Sequence, residues 1–215
     1  MTPGERWQSL GMEKVQLLWS SEIAQIRRLV VGPLSNNVFI ITCRQSDESV
    51  LIDAANEAEL LLEAASEFNV KKVVTTHGHW DHIGAVEEFR AAQIPVFVGE
   101  GDKSMLSSYD ETIGDEALIS CGSLRLRAHH TPGHTPGSTC YSLLSTPLLF
   151  TGDTLFPGGP GNATFDGGDF TTIITSLEKL YAKFDDDTIF WPGHGDSSTI
   201  GNERPHLPQW IERGW

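Results

Sequence analysis

The 215-residue sequence predicts an α/β fold in which two sheets face each other, each covered on its outer side by helices. Three observations predict it. The first half passes from a hairpin-like pair of apolar runs into alternating strand and helix patterns. The second half repeats that order loosely, without a sequence-level repeat. No linker-like stretch separates the two, so residues 1–215 read as one domain around a shared interior.

The elements follow in chain order. Residues 1–22 are mixed in character and predict an irregular or edge element. Ile26 to Val31 and Val38 to Thr42 are apolar runs separated by Gly-Pro and Ser-Asn-Asn, hence strand, turn and strand. Ser49 to Ile52 is a third strand that ends in Asp53. Asn56 to Phe68 reads as a helix, with Asn56 as its cap, Glu59 three residues on, and a stripe of Leu61, Ala64, Ala65 and Phe68. Val73 and Val74 mark a strand leading into His77. After Asp81 a second helix is expected, with Ile83, Val86 and Phe89 on one face, followed by a strand at Val96 to Val98.

In the second half, Leu124, Leu126 and Ala128 alternate with Ser123, Arg125 and Arg127, the period of a half-buried strand. Strands are expected at Thr139 to Leu144 and Leu148 to Phe150. A helix follows at Thr172 to Phe184, on a stripe of Ile173, Leu177, Leu180 and Phe184, and then a strand at Ile189 to Trp191.

Composition narrows the function classes. The formal net charge of −14 repels nucleic-acid phosphates and anionic membranes, so neither is an expected partner. No apolar run approaches the ~18 residues that span a bilayer. Met1 to Leu10 lacks a basic stretch followed by an apolar one, and Cys43, Cys121 and Cys140 form no CxxC pattern. Cytoplasmic residence is the economical expectation.

The chemistry is concentrated in THGHWDH, Thr76 to His82, where three histidines and an aspartate fall within six residues. Neutral imidazole donates a lone pair to zinc-like metals, and a carboxylate compensates their charge. Gly78 leaves the backbone free to turn so that both flanking histidines converge. A solvated polar loop capped by Asp81 is the bland alternative, which a cluster this dense disfavours. His134 lies in HTPGHTPGS, Asp153 in FTGDTLF and His194 in WPGHGD, each beside glycine just past an expected strand. Any one of these would pass for a turn former; four segments sharing the strand-to-turn arrangement point jointly to a metal site.

These residues resemble the metallo-β-lactamase superfamily over nearly the whole chain. THGHWDH matches its HxHxDH signature, and His134, Asp153 and His194 match its later motifs in order. Thr131 to Ser138, Gly167 to Leu180 and Asp187 to Glu203 look like the short glyoxalase II-like (hydroxyacylglutathione hydrolase-like) enzymes. The resemblance implies a four-layer αβ/βα sandwich and two divalent metal ions, zinc before iron or manganese. One ion falls to His77, His79 and His134, a second to Asp81, His82 and His194, with Asp153 between them. Asp81 and Asp153 carry the catalytic roles. Asp53 either supports the metal loop from behind or serves as a turn residue.

A metal-bridging hydroxide then implies hydrolysis of a small-molecule thioester, whose thiolate leaves without protonation. A lactonase or other small-ester hydrolase is the first alternative. The second is a mononuclear iron persulfide dioxygenase using His77, His134 and Asp153, and a non-catalytic scaffold comes last. Two departures bear on the carrier: only 21 residues follow His194, and Asn162 to Phe165 stand where many relatives place an arginine and an acidic residue. His129 and His130 are expected in hydrogen bonds at a strand end, His206 at the surface, and Cys140 buried in a strand. Trp80 is expected either at the pocket entrance or packed on the helix that follows.

Overall fold

A computed structural model describes residues 14–214. The first sheet has seven strands in the order β1 to β7: Gln16–Ser20, Ala24–Val31, Asn36–Cys43, Ser49–Ile52, Val70–Val74, Val96–Gly99 and Glu111–Ile113. The second has six, in the order β15-β14-β11-β10-β9-β8. These are β8 (Leu118–Cys121), β9 (Leu124–His130), β10 (Thr139–Leu143), β11 (Leu148–Gly152), β14 (Ile189–Pro192) and β15 (Ser198–Thr199). β12 (Leu155–Phe156) and β13 (Gly159–Pro160) pair separately. The edge element expected near the N-terminus is β1; residues 1–13 lie outside the described residues.

Strand periodicity divides the side chains between layers. Phe39, Ile41, Val50 and Ile52 face the second sheet and pack with Leu126, Tyr141, Phe150 and Trp191. Their neighbours Val38, Ile40 and Leu51 point the other way, onto α1 (Ala58–Glu67) and α3 (Val86–Ala91), through Leu61, Ala64 and Phe89. β3 is buried at every position, which is why it reads as an unbroken apolar run rather than an alternation. Leu149, Cys140 and Phe190 face outward from the second sheet onto α4 (Phe170–Lys183) and α6 (Leu207–Arg213), meeting Leu177, Leu180 and Trp210. Each fully buried Leu, Ile or Phe removed from water contributes about 1.5–3 kcal/mol. The layers are helix, sheet, sheet, helix, as expected.

The differences from expectation are local and have causes. Asn56 does not cap α1: its Oδ1 accepts from the Glu57 amide at 2.9 Å, and Glu57 itself stands at the helix start with φ 53°. The helix expected after Asp81 is two pieces, α2 (Trp80–Ile83) and α3. It breaks because the Ala85 amide donates to the Ala54 carbonyl at 2.9 Å, drawing the chain against residues 54 and 55. α2 starts at Trp80, so Asp81 and His82 lie in its first turn. α4 begins two residues earlier than expected, because the Asp169 carboxylate accepts from the Thr172 amide at 2.6 Å. β7, β8, β12, β13, β15, α5 (Ile200–Glu203) and α6 were not expected; most are too short for a period to register.

Two parallel pairings set up one rim. β4 and β5 run parallel with Ile52 beside Val74, so the residues that follow them, Asp53 and Thr75 to His82, leave side by side. β11 and β14 also run parallel, with Gly152 beside Pro192, which brings Asp153 and His194 out together.

Candidate metal centre

His77, His79 and His134 surround one point. Their ring centroids lie 4.5–4.8 Å apart and their planes are close to perpendicular, so three imidazoles meet edge-on. Asp81, His82 and His194 form a second group, and His77, His82 and Asp153 a third that joins the two; within each, the candidate ligand atoms are no more than 4.8 Å apart. Asp153 faces both sides: its carboxylate is 3.5 Å from His82 Nε2, 3.6 Å from His194 Nε2 and 3.7 Å from His134 Nε2. All seven side chains expected to hold metal thus meet in one basin.

The backs of the rings are tied to oxygen acceptors. His134 Nδ1 donates to the Asn162 carbonyl at 2.7 Å, and His194 Nδ1 to the Leu34 carbonyl at 2.9 Å. His82 Nδ1 lies 2.9 Å from Asp53 Oδ2. His77 Nδ1 lies 3.1 Å from Thr76 Oγ1, whose own proton goes to Asp53 Oδ2 at 2.8 Å. A ring that donates through Nδ1 keeps its Nε2 lone pair free when neutral. His77 Nε2, His134 Nε2 and Asp153 Oδ1 are buried and have no hydrogen-bond partner, and they belong to groups whose candidate ligand atoms lie within 4.8 Å of one another. Buried acceptors left unpaired are costly. A divalent cation is the group that would satisfy all of them at once, so the residues fit the metal their resemblance implies.

Electrostatics divide the imidazoles. Burial lowers His77, with the neighbouring rings adding to it, and burial also lowers His79 and His134, favouring the neutral, ligating form. Burial opposes charge at His82 too, but Asp153 and Asp53 outweigh it and raise its pKa to about 9. His194 is likewise raised, against burial, by Asp81 and Asp153. Asp81 is held well below the usual carboxylate range: burial opposes this, but His194, His82 and Asn36 outweigh it.

Two supporting residues escaped the sequence reading. Asn36 Nδ2 donates to Asp81 Oδ2 at 2.8 Å, and Asn36 bridges to His194 as an isolated β-pair. Asp102, wholly buried, accepts from the Gly78 amide (2.8 Å), Thr135 Oγ1 (2.6 Å) and the Gly137 amide (2.6 Å), clamping the 77–82 loop to the 134–138 turn. Only the start of an apolar run at Asn36 and an acidic residue past a strand at Asp102 hinted at either. Gly78 is needed for a reason other than freedom to turn: a Cβ there would stand 2.7 Å from Met105 Cβ. Asp53 contacts both Thr76 and His82, the supporting arrangement rather than a turn alone, although its φ of 65° makes it a turn residue as well.

The remaining candidates fall where expected. His129 Nε2 is 2.8 Å from Ser142 Oγ, and His130 Nε2 is 2.8 Å from the Pro136 carbonyl. His206 is exposed and Cys140 is buried. Trp80 is exposed and lines a cavity of about 600 Å³ that opens over the histidines and Asp153.

Facing sheets with a basin of histidines and aspartates on one rim are the frame of a metallo-hydrolase. The chain belongs to the Metallo-beta-lactamase superfamily, whose family model matches residues 31–194. It is 30% identical over 182 residues to the hydroxyacylglutathione hydrolase GloC of Haemophilus influenzae, covering 74% of this chain and 86% of that one. The crystal structure of BLEG-1 B3 metallo-beta-lactamase superposes with a TM-score of 0.78 at 28% identity, covering 86% of this chain and 98% of the other. TTHA1623 in a di-iron-bound form superposes at 0.73 with 26% identity, over 82% and 96% of the two chains. Among the described residues, no helix is long and apolar enough to cross a membrane.

Proposed function

We propose that the protein hydrolyses a small-molecule thioester at a two-metal site. His77, His79 and His134 would hold one divalent ion and Asp81, His82 and His194 the other, with Asp153 shared and zinc the first choice of metal. The observation that carries this reading is the grouping of buried, unpartnered candidate ligand atoms on His77, His134 and Asp153. Such a pair of ions, when bound, ionises water at neutral pH and polarises a carbonyl.

The chain's own residues do the rest. Asn162 and Leu34 orient His134 and His194 through their carbonyls. Asn36 fixes Asp81 Oδ2, which keeps that carboxylate turned toward His82 and His194. Of the titratable side chains lining the cavity, all but Asp166 belong to the proposed ligand set, so no neutral-pH general acid such as a free histidine stands by for a poor leaving group. A thiolate needs little protonation, and thioesters are favoured over amides for that reason. The three unpaired, buried cysteines suit a reducing compartment such as the cytoplasm.

The test is a screen of glutathione, coenzyme A and uncharged N-acetylcysteamine thioesters alongside lactones on metal-loaded protein, repeated with His79→Ala and Asp153→Ala. The expected result is thioester turnover that both variants lose while their circular dichroism is unchanged. Near-normal turnover in a folded variant contradicts the site, and hydrolysis confined to lactones contradicts the thioester assignment. One iron per chain with oxygen uptake contradicts hydrolysis altogether.

A further inference from the structure

The cavity over the metal centre has a wall whose composition bears on the substrate. Eight large hydrophobic side chains among the described residues are exposed, and three of them line this one cavity: Trp80 at 63%, Phe165 at 53% and Leu34 at 51%. Met105 and Pro136 continue the surface. Exposed apolar groups gathered in one place, rather than scattered, mark a surface made for an apolar partner.

These groups are built on the segments that carry the site. Trp80 directly follows His79. Leu34 supplies the carbonyl that orients His194. Phe165 sits three residues past the Asn162 carbonyl that orients His134, and its carbonyl accepts from Gly168 at 2.8 Å, closing the loop on itself. The Phe165 ring stands edge-on to His79, centroid to centroid at 5.5 Å, and 6.4 Å from His134. An apolar group resting on this wall is held beside the three-histidine cluster.

Charge completes the picture. No lysine or arginine lines the cavity among the described residues; its outer wall carries Asp166, and the chain as a whole is at −14. A carboxylate- or phosphate-bearing carrier finds no cationic partner on that wall and meets like charge on approach.

We infer that the cavity selects thioesters with a medium-length apolar acyl chain on an uncharged carrier, and disfavours anionic carriers such as glutathione. This rests on the hydrolase reading above and names its substrate class. Each methylene fully withdrawn from water strengthens binding about fourfold, so even partial burial of a six-methylene chain gives well over tenfold.

Three thioesters isolate the two variables: octanoyl and acetyl N-acetylcysteamine, which share a neutral carrier, and octanoyl glutathione, which changes only the carrier. The expected kcat/KM for octanoyl N-acetylcysteamine exceeds each of the other two at least tenfold. Trp80→Ala and Phe165→Ala are expected to narrow the octanoyl-to-acetyl ratio at least fivefold, chiefly through KM. Equal rates on the two chain lengths, or preference for the glutathione carrier, would overturn the inference. If no thioester turns over, it is the hydrolase reading that fails. Equilibrium binding of the non-hydrolysable S-octyl thioethers of the same two carriers then decides the pocket. Tenfold tighter binding of the neutral one supports the inference, and equal or tighter binding of the charged one overturns it.

Discussion

Asp53 and His82 meet in the interior with Oδ2 and Nδ1 2.9 Å apart, both closed off from water. The same carboxylate accepts the Thr76 amide at 2.6 Å and the Thr76 hydroxyl at 2.8 Å. One side chain therefore positions both ends of the 76–82 loop. Parallel pairing of β4 with β5 delivers it there, and a left-handed φ that aspartate and asparagine tolerate aims it.

Asp53→Asn keeps the shape and the backbone preference but removes the charge and one acceptor. The expected outcome is metal affinity lowered about 10- to 100-fold, read by competition with a chromophoric chelator. Wild-type affinity in this variant would mean that the contact is incidental.

Asp102 offers a separate test of the loop clamp. Asp102→Ala leaves three buried donors, on Gly78, Thr135 and Gly137, without their acceptor. Each such loss costs about 1–3 kcal/mol. Urea unfolding is expected to show a loss of at least ~3 kcal/mol, with Asp102→Asn recovering part of it. A loss under ~1 kcal/mol would show that the two loops hold together without the carboxylate.

Gly193 is held to glycine by its close neighbours. An added Cβ would lie 2.2 Å from Asp153 Oδ1 and 2.7 Å from His82 Cε1, so one of these ligand candidates must move. Displacement by about 1 Å at a reacting centre costs roughly 100-fold. Gly193→Ala is expected to lose turnover on that scale with circular dichroism unchanged, and an active Gly193→Ala would contradict the packing.

His129 predicts a pH dependence away from the metal site. Burial, with the charge of Lys183, pushes its imidazole down to about 4, whereas in the unfolded chain histidine titrates near 6.5. Between those values the unfolded chain binds more protons, so this contribution to stability is intact above about pH 6.5 and is lost as pH falls towards 4. In His129→Gln the decline of stability over that window should be shallower by up to about 1.4 kcal/mol per pH unit. Parallel curves for the two proteins would refute it.

Much of this was legible in the sequence, because the ligand candidates sit at strand ends where glycine and polar residues interrupt apolar runs. The seven candidate side chains that converge in the basin, and the layer order, could be picked out from local patterns. What could not be read depends on contacts between distant segments. The break between α2 and α3 comes from the backbone at Ala54, 31 positions before Ala85. Asn36 acts on Asp81 across 45 positions, and Asp102 on Gly137 across 35. Gly78 was readable as a requirement but not for its cause, since Met105 lies beyond any local window. The C-terminal helices, with Pro205 and Pro208 in their first turns, are too short for an apolar period to register.

Seven side chains proposed to hold two cations are tested most directly by counting metal. Purified, metal-loaded protein should carry two divalent ions per chain by inductively coupled plasma mass spectrometry. His134→Ala and His194→Ala should each lower that count while the chain stays folded. Wild-type protein that retains no metal after loading, or a count of two in both variants, would contradict the account.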